Sequence, residues 1–176
     1  MTKKKNKSTI PFNNITGIVL VVILLIGVVR YYNAETPSRL VARNYTTETA
    51  PLEKLRGVSA KDANLEAALS SYEEKDFATA ESLFSKYLSK TPTDFDAYFL
   101  KGISLMETGA FDEAVTVFKT IRINSVNHYE DATWFLALTY LKKNQKDDAK
   151  LILKELIAAN GNSKVEAAKK LLSEIS

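Results

Sequence analysis

A long apolar run near the start of the chain is the first clear pattern. From Ser8 to Val29 the sequence contains 22 residues without a charge, and Ile18 to Ile26 is an unbroken aliphatic block. A helix over this run would be about 33 Å long at about 1.5 Å per residue, against a bilayer core of about 30 Å. Tyr31 and Tyr32 follow, where aromatic rings favour the headgroup level. The pattern predicts a single transmembrane anchor over residues 8–32.

A cleaved signal peptide is the alternative explanation of this run. Cleavage requires small residues soon after the apolar stretch, but the sequence continues Arg30-Tyr31-Tyr32-Asn33-Ala34-Glu35. A retained anchor is therefore the favoured interpretation. The four lysines of the basic segment 1–7 place the N-terminus in the cytoplasm by the positive-inside rule. The C-terminal domain would then face the far side of the membrane.

Residues 33–60 are predicted to be a linker, because Pro37 and Pro51 interrupt helices and the intervening stretch is polar. Two hydrophobic patches lie within it, at Leu40-Val41 and at Leu52 to Val58. One interpretation is a linker with isolated apolar residues. The other is that one of the patches docks on the folded domain, and the sequence leaves both open.

A pattern with a period of 34 and then 35 residues organises the rest of the chain. Three segments begin alike, at Asp62-Ala63, Asp96-Ala97 and Asp131-Ala132. Each of these segments is followed at a fixed distance by a small residue and then by an alanine. A large apolar residue comes four positions after that alanine. Small residues let two helices approach and large ones fill the space between them, so the spacing predicts stacked helix pairs. The three series are Ala68, Gly102 and Ala137; Ala80, Ala114 and Ala149; and Phe84, Phe118 and Leu153.

This pattern resembles the tetratricopeptide repeat, whose 34 residues carry an aromatic, Leu-Gly, Tyr, Ala, Phe and a closing Pro at set positions. The resemblance covers about 100 residues and divides them into repeats 61–94, 95–128 and 130–163. Gly109 lies between the helices of the second pair, where a turn can use positive φ. A capping helix over 163–176 is predicted from the apolar stripe Val165, Ala168, Leu172 and Ile175.

The predicted fold is therefore all-α. It consists of one N-terminal transmembrane helix, the linker 33–60, and a domain over 61–176. That domain is an α-solenoid of three tetratricopeptide helix pairs closed by the capping helix. An unrelated helical bundle is the alternative architecture.

The resemblance also implies a binding surface. In this family, positions 5, 9 and 12 of each repeat line a concave groove, and here all nine are apolar or aromatic. The implied partner is an apolar or amphipathic segment of a protein or peptide, because such a surface is not normally left bare. An outside partner, the linker, the capping helix and a second copy of the chain all remain open as the covering element. The nine groove residues are Leu65, Leu69, Tyr72, Phe99, Ile103, Met106, Trp134, Leu138 and Leu141.

Charge argues against a nucleic-acid partner, although the sequence pI is about 8.9. Residues 1–30 carry five bases and no acid, giving +5, and residues 31–60 carry four bases against three acids, giving +1. The remaining 116 residues carry 15 bases against 18 acids, giving −3. Phosphate binding needs clustered positive charge on the folded surface, so the repeat domain is not expected to bind nucleic acid.

The sequence predicts no catalytic site, no cofactor and no metal. It contains no cysteine, a single histidine and no glycine-rich phosphate loop, so common nucleophilic and zinc sites lack their parts. His128 is predicted to be a turn residue at a repeat junction. The leading hypothesis is a membrane-tethered scaffold, an envelope or translocation-associated adaptor or chaperone in a bacterial inner membrane, with its repeats in the periplasm. An organelle-surface receptor with cytosolic repeats is the alternative, and an enzyme ranks third.

Overall fold

The computed structural model describes residues 12–33, 36–45, 55, 62–159 and 163–175. The chain divides into two units, Met1–Thr36 and Pro37–Ser176. The basic segment 1–7 and most of the linker 33–60 lie outside the described residues.

The first unit contains helix α1, Phe12–Asn33. Its ten described large aliphatic side chains, between Val19 and Val29, are 46% to 68% exposed. Across the residues that the structure describes, no helix has both the length and the apolar character needed to cross a bilayer. The predicted anchor over residues 8–32 is therefore not confirmed.

The second unit is built of helices, and no strand occurs among its described residues, as the sequence predicts. Each helix from α3 to α8 packs against the next one along the chain, so three consecutive pairs form a solenoid and α9 closes its end. The elements are α2 Pro37–Asn44, α3 Ala63–Glu73, α4 Phe77–Leu88, α5 Phe95–Thr108, α6 Phe111–Asn124, a 3₁₀ turn Val126–His128, α7 Tyr129–Lys142, α8 Lys146–Ala158 and α9 Val165–Ile175.

Aspartates start three of these helices. The Asp62 carboxylate accepts hydrogen bonds from two backbone amides at the start of α3, at 2.8 and 3.2 Å. Asp76 and Asp94 accept the amides of Thr79 at 3.2 Å and Ala97 at 3.0 Å. Each cap satisfies a donor that the first turn of a helix leaves unpaired. Asp94 also accepts a hydrogen bond from the Tyr87 hydroxyl at 2.8 Å, which ties the first pair to the second.

The turn inside each pair uses one residue in the left-handed region. Gly109 has φ +84° and ends α5, as its place in the sequence predicts. Lys75 and Asn144 occupy the same position in the other two repeats, with φ of 63° and 61°. A residue with a Cβ adopts this conformation at a cost of about 1–2 kcal/mol. The geometry of the turn is thus set by the pair of helices rather than by the residue that occupies it.

Small and large residues meet between paired helices where the sequence predicts. Gly102 lies so close to the Phe118 ring that a Cβ at this position would approach ring carbons at 2.8 and 2.9 Å. Phe118 is fully buried and contacts the rings of Phe99 and Phe135, with centroids 5.8 and 5.7 Å away. The small and alanine positions of the other repeats are fully buried as well. Close approach of two helices and filling by aromatic rings therefore define the core.

Helix α9 buries Ala168, Leu171 and Ile175. The predicted stripe placed Leu172 in this row, but Leu172 is only partly buried. Both leucines fit a spacing of three or four, and the helix turns Leu171 inward because it packs against α2 as well as α8. Val165 is also only partly buried, so Ala168 and Ile175 are the buried members of the predicted stripe.

A groove occupied by the linker helix

The nine predicted groove residues come together in the structure. They lie on α3, α5 and α7, the first helices of the three pairs, and belong to one hydrophobic cluster. All are buried, and Trp134 is the most exposed of them at 6%. We call the surface that these nine side chains form the groove. Whether it binds another protein stays a prediction.

Helix α2, from the linker, packs against α7 and α9. Its Leu40 and Val41 are each only 1% exposed, and Leu55, further along the linker, is 2% exposed. All three belong to the same hydrophobic cluster as the groove residues. Of the covering elements that the sequence leaves open, the structure places part of the linker beside the groove.

Polar and aromatic contacts hold the C-terminal end of α2 and the residue that follows it. The Tyr45 ring, just after α2, meets Phe135 edge to face with centroids 5.6 Å apart. Lys142 lies over the Tyr45 ring, 5.7 Å from its centroid, and donates a hydrogen bond to Glu107 at 2.8 Å. At the other side, Arg43 pairs with Glu174 of α9 at 2.8 Å. Helix α2 thus has an apolar side, an aromatic end and a basic contact.

Two tyrosines, the buried Tyr72 and the partly buried Tyr45, have perturbed phenol groups. Burial raises the pKa of the Tyr72 phenol above its ordinary value, and the negative charge of Glu107 raises it further. Burial likewise raises the pKa of Tyr45, with contributions from Tyr72 and Glu107. The Tyr72 hydroxyl has no hydrogen-bond partner among the described residues. An unsatisfied buried hydroxyl carries a free-energy cost, which falls here on α3.

A cavity of about 500 Å³ opens beside α2. The cavity lies at the C-terminal ends of α5 and α7. The ion pair between Glu107 and Lys142 forms part of its lining. Helix α2 therefore leaves space unfilled at this end of the groove. The lining residues are Val41, Ala42, Tyr45, Met106, Glu107, Thr108, Gly109, Phe111 and Lys142.

Sequence reasoning missed one polar cluster. His128 makes hydrogen bonds to Ser125 through Nδ1 at 2.7 Å and to Asp96 through Nε2 at 2.8 Å. Folding brings a serine and an aspartate to the ring of this histidine, which the sequence predicts only as a turn residue. The three residues tie the 3₁₀ turn to α5, a structural role at the junction of repeats two and three. No sequence motif links Asp96 to His128, since 32 residues separate them.

Burial changes how the centre of the groove can be probed. Phe99 and Ile103 are 2% and 1% exposed, and the Phe99 ring lies 4.9 Å from that of Phe135. Replacing either by a polar residue would remove core packing before it removed any partner contact. Residues at the edge of the cavity, such as Phe111, are better probes because they are only partly buried.

Family models describe two stretches of the chain as tetratricopeptide repeat, residues 71–128 and 136–163. No curated protein and no solved structure is similar enough to the chain to count as a match. Six of the nine groove residues lie within the matched stretches, and Leu65, Leu69 and Trp134 lie outside them. Residues 71–163 of this chain carry tetratricopeptide repeats.

Proposed function

We propose that this protein is a membrane-tethered scaffold that binds a protein or peptide partner in the groove. One observation carries the proposal: nine apolar and aromatic side chains from the first helices of three successive repeats lie in one hydrophobic cluster, which also contains Leu40 and Val41 of α2. Tetratricopeptide repeats are interaction modules, and helix-in-groove binding uses a hydrophobic surface of this kind. The partner is expected to present an apolar or amphipathic segment.

Tethering through residues 8–32 is the second part of the proposal. It is supported by the uncharged run Ser8 to Val29 and by the exposed aliphatic side chains of α1. An apolar surface of this extent is unfavourable in water. The lysines of segment 1–7 favour an N-terminus in the cytoplasm, which puts the repeats on the periplasmic side of a bacterial inner membrane. In that location the groove serves an envelope or translocation-associated adaptor or chaperone.

Site-specific photocrosslinking tests the groove. A benzophenone amino acid replaces Phe111, which borders the cavity, or Ile123, which is 83% exposed and does not line it. In cells that naturally express the chain, we expect a discrete crosslinked product from position 111 and none of the same mass from position 123. A product of twice the chain mass would identify a second copy as the partner. The same products from both positions, or none from 111, would contradict binding in the groove.

Fractionation tests the tether. The full-length chain should stay in the membrane pellet after alkaline carbonate extraction, and a reporter fused after Ser176 should behave as a translocated one. Recovery of a shortened, soluble species that begins near Ala34 would rule out the retained anchor.

A further inference from the structure

We propose that α2 is a built-in competitor for the groove, and that the partner is an amphipathic helix of the same kind which displaces it. Such a helix carries two adjacent aliphatic residues, a basic residue on its polar side and an aromatic residue one turn later. This inference rests on the proposed function, because it identifies the partner class and the regulation of the same groove.

Helix α2 shows which ligand chemistry this surface accepts. Its adjacent Leu40 and Val41 are almost completely buried, and Tyr45 lies edge to face on Phe135. Arg43, between these apolar groups in sequence, reaches the carboxylate of Glu174 on α9. A partner helix with the same arrangement would make the same contacts in the same place.

The fit of α2 is incomplete, which leaves room for a better ligand. The cavity of about 500 Å³ borders Val41 and Tyr45 on one side and Met106 on the other. A helix that continues beyond the position of Tyr45, with a large apolar side chain, would fill this space. It would therefore gain contacts that α2 does not make.

Covalent attachment makes α2 an effective competitor despite its incomplete fit. A segment held on the same chain acts at an effective concentration that reaches roughly millimolar for short linkers. The apparent dissociation constant of a ligand equals its intrinsic dissociation constant divided by the fraction of molecules in which the site is free. If α2 leaves the groove in about one molecule in a hundred, an outside helix binds about 100-fold more weakly than to an open groove. Weakening α2 should therefore strengthen binding in trans.

The experiment uses the full chain in a mild detergent and a fluorescein-labelled peptide of residues 36–45 as the probe. Fluorescence anisotropy measures its affinity for the unmodified chain, for Leu40→Ser with Val41→Ser, and for Ile123→Ser with Val126→Ser. The second pair is a matched control, since it also replaces two aliphatic residues, at positions that are 83% and 92% exposed. We expect the α2 variant to bind the peptide at least tenfold more tightly than the other two chains. Unlabelled peptide should compete with the probe.

Equal affinity for all three chains would overturn the role of α2 as a competitor while leaving the groove able to bind helices. Absence of binding to every chain would overturn the proposed ligand class, and the crosslinking from position 111 would still decide whether the groove has a partner. If the double serine variant loses its helical content, Arg43→Glu takes its place. This change puts like charges between α2 and Glu174 and should tighten peptide binding severalfold, and adding Glu174→Arg should reverse the effect. An unchanged affinity in Arg43→Glu would then overturn the proposal.

Discussion

Replacing Gly102 with alanine sets two effects of known sign against each other. In the interior of a helix, alanine is favoured over glycine by about 0.5–1 kcal/mol, because glycine loses more conformational freedom on folding. The substitution alone would therefore stabilise α5. The new methyl group would, however, lie 2.8 Å from one ring carbon of Phe118 and 3.1 Å from Val117.

The Phe118 ring has little freedom to yield. It is fully buried, and the rings of Phe99 and Phe135 lie against it. Overpacking a dense core costs about 1–3 kcal/mol, which exceeds the gain in helix propensity. We expect Gly102→Ala to destabilise the repeats by a net of about 0.5–2 kcal/mol.

Thermal unfolding of the full chain, followed by circular dichroism at the helix band, measures this change. A loss of 1 kcal/mol lowers the midpoint by about 2–8 °C in a domain of this size range. Repeat three supplies the matched control, because it has Ala137 and Leu153 at the positions of Gly102 and Phe118. Combining Gly102→Ala with Phe118→Leu should therefore give a more stable chain than the sum of the two single changes predicts. A Gly102→Ala chain that is more stable than the original would refute the close contact between α5 and α6.

Three further substitutions have expected outcomes. Lys75→Gly should raise the free energy of unfolding by up to about 1 kcal/mol, since it removes a left-handed residue that carries a Cβ. Gly109→Ala should lower the free energy of unfolding by about 1–2 kcal/mol in the same thermal assay. The hydrogen bond from Arg43 lowers the pKa of Glu174 below its ordinary 4.5. The stability that this pair contributes is therefore complete above pH 4.5 and is lost as the pH falls through the lowered pKa. The difference in midpoint between the original chain and Arg43→Gln should therefore vanish in acid, and a difference that persists at low pH would contradict the pairing.

The repeat could be predicted from the sequence because its signal is a steric requirement. Gly102 and Phe118 must be small and large for the two helices to approach, so the requirement recurs as a fixed spacing. The left-handed turn was visible only at Gly109, where glycine marks it. At Lys75 a left-handed φ of 63° has no signature in the sequence, because the helices on either side impose it.

The position of α2 could not be predicted in the same way. Leu40 and Val41 are two apolar residues in a polar segment, and their pattern specifies burial without specifying against which surface. The contacts that fix α2 join Tyr45 to Phe135 and Arg43 to Glu174, across 90 or more residues of sequence. The contact between His128 and Asp96 was missed for the same reason, since 32 residues separate them and they meet only when the second helix pair has folded.

The central claim is that α2 covers the groove, and thiol labelling at Met106 tests it most directly. The chain has no cysteine, and Met106 is 1% exposed and borders the cavity with Val41. The full chain carrying Met106→Cys is reacted with a maleimide, with and without Leu40→Ser and Val41→Ser. Ala114→Cys, at a fully buried position that does not line the cavity, reports global unfolding as the control.

We predict slow labelling at position 106 in the chain with an intact α2, and labelling at least tenfold faster when α2 carries the two serines. Labelling at position 114 should stay equally slow in both chains. The same rate at position 106 with and without the serines would contradict the claim that α2 covers the groove.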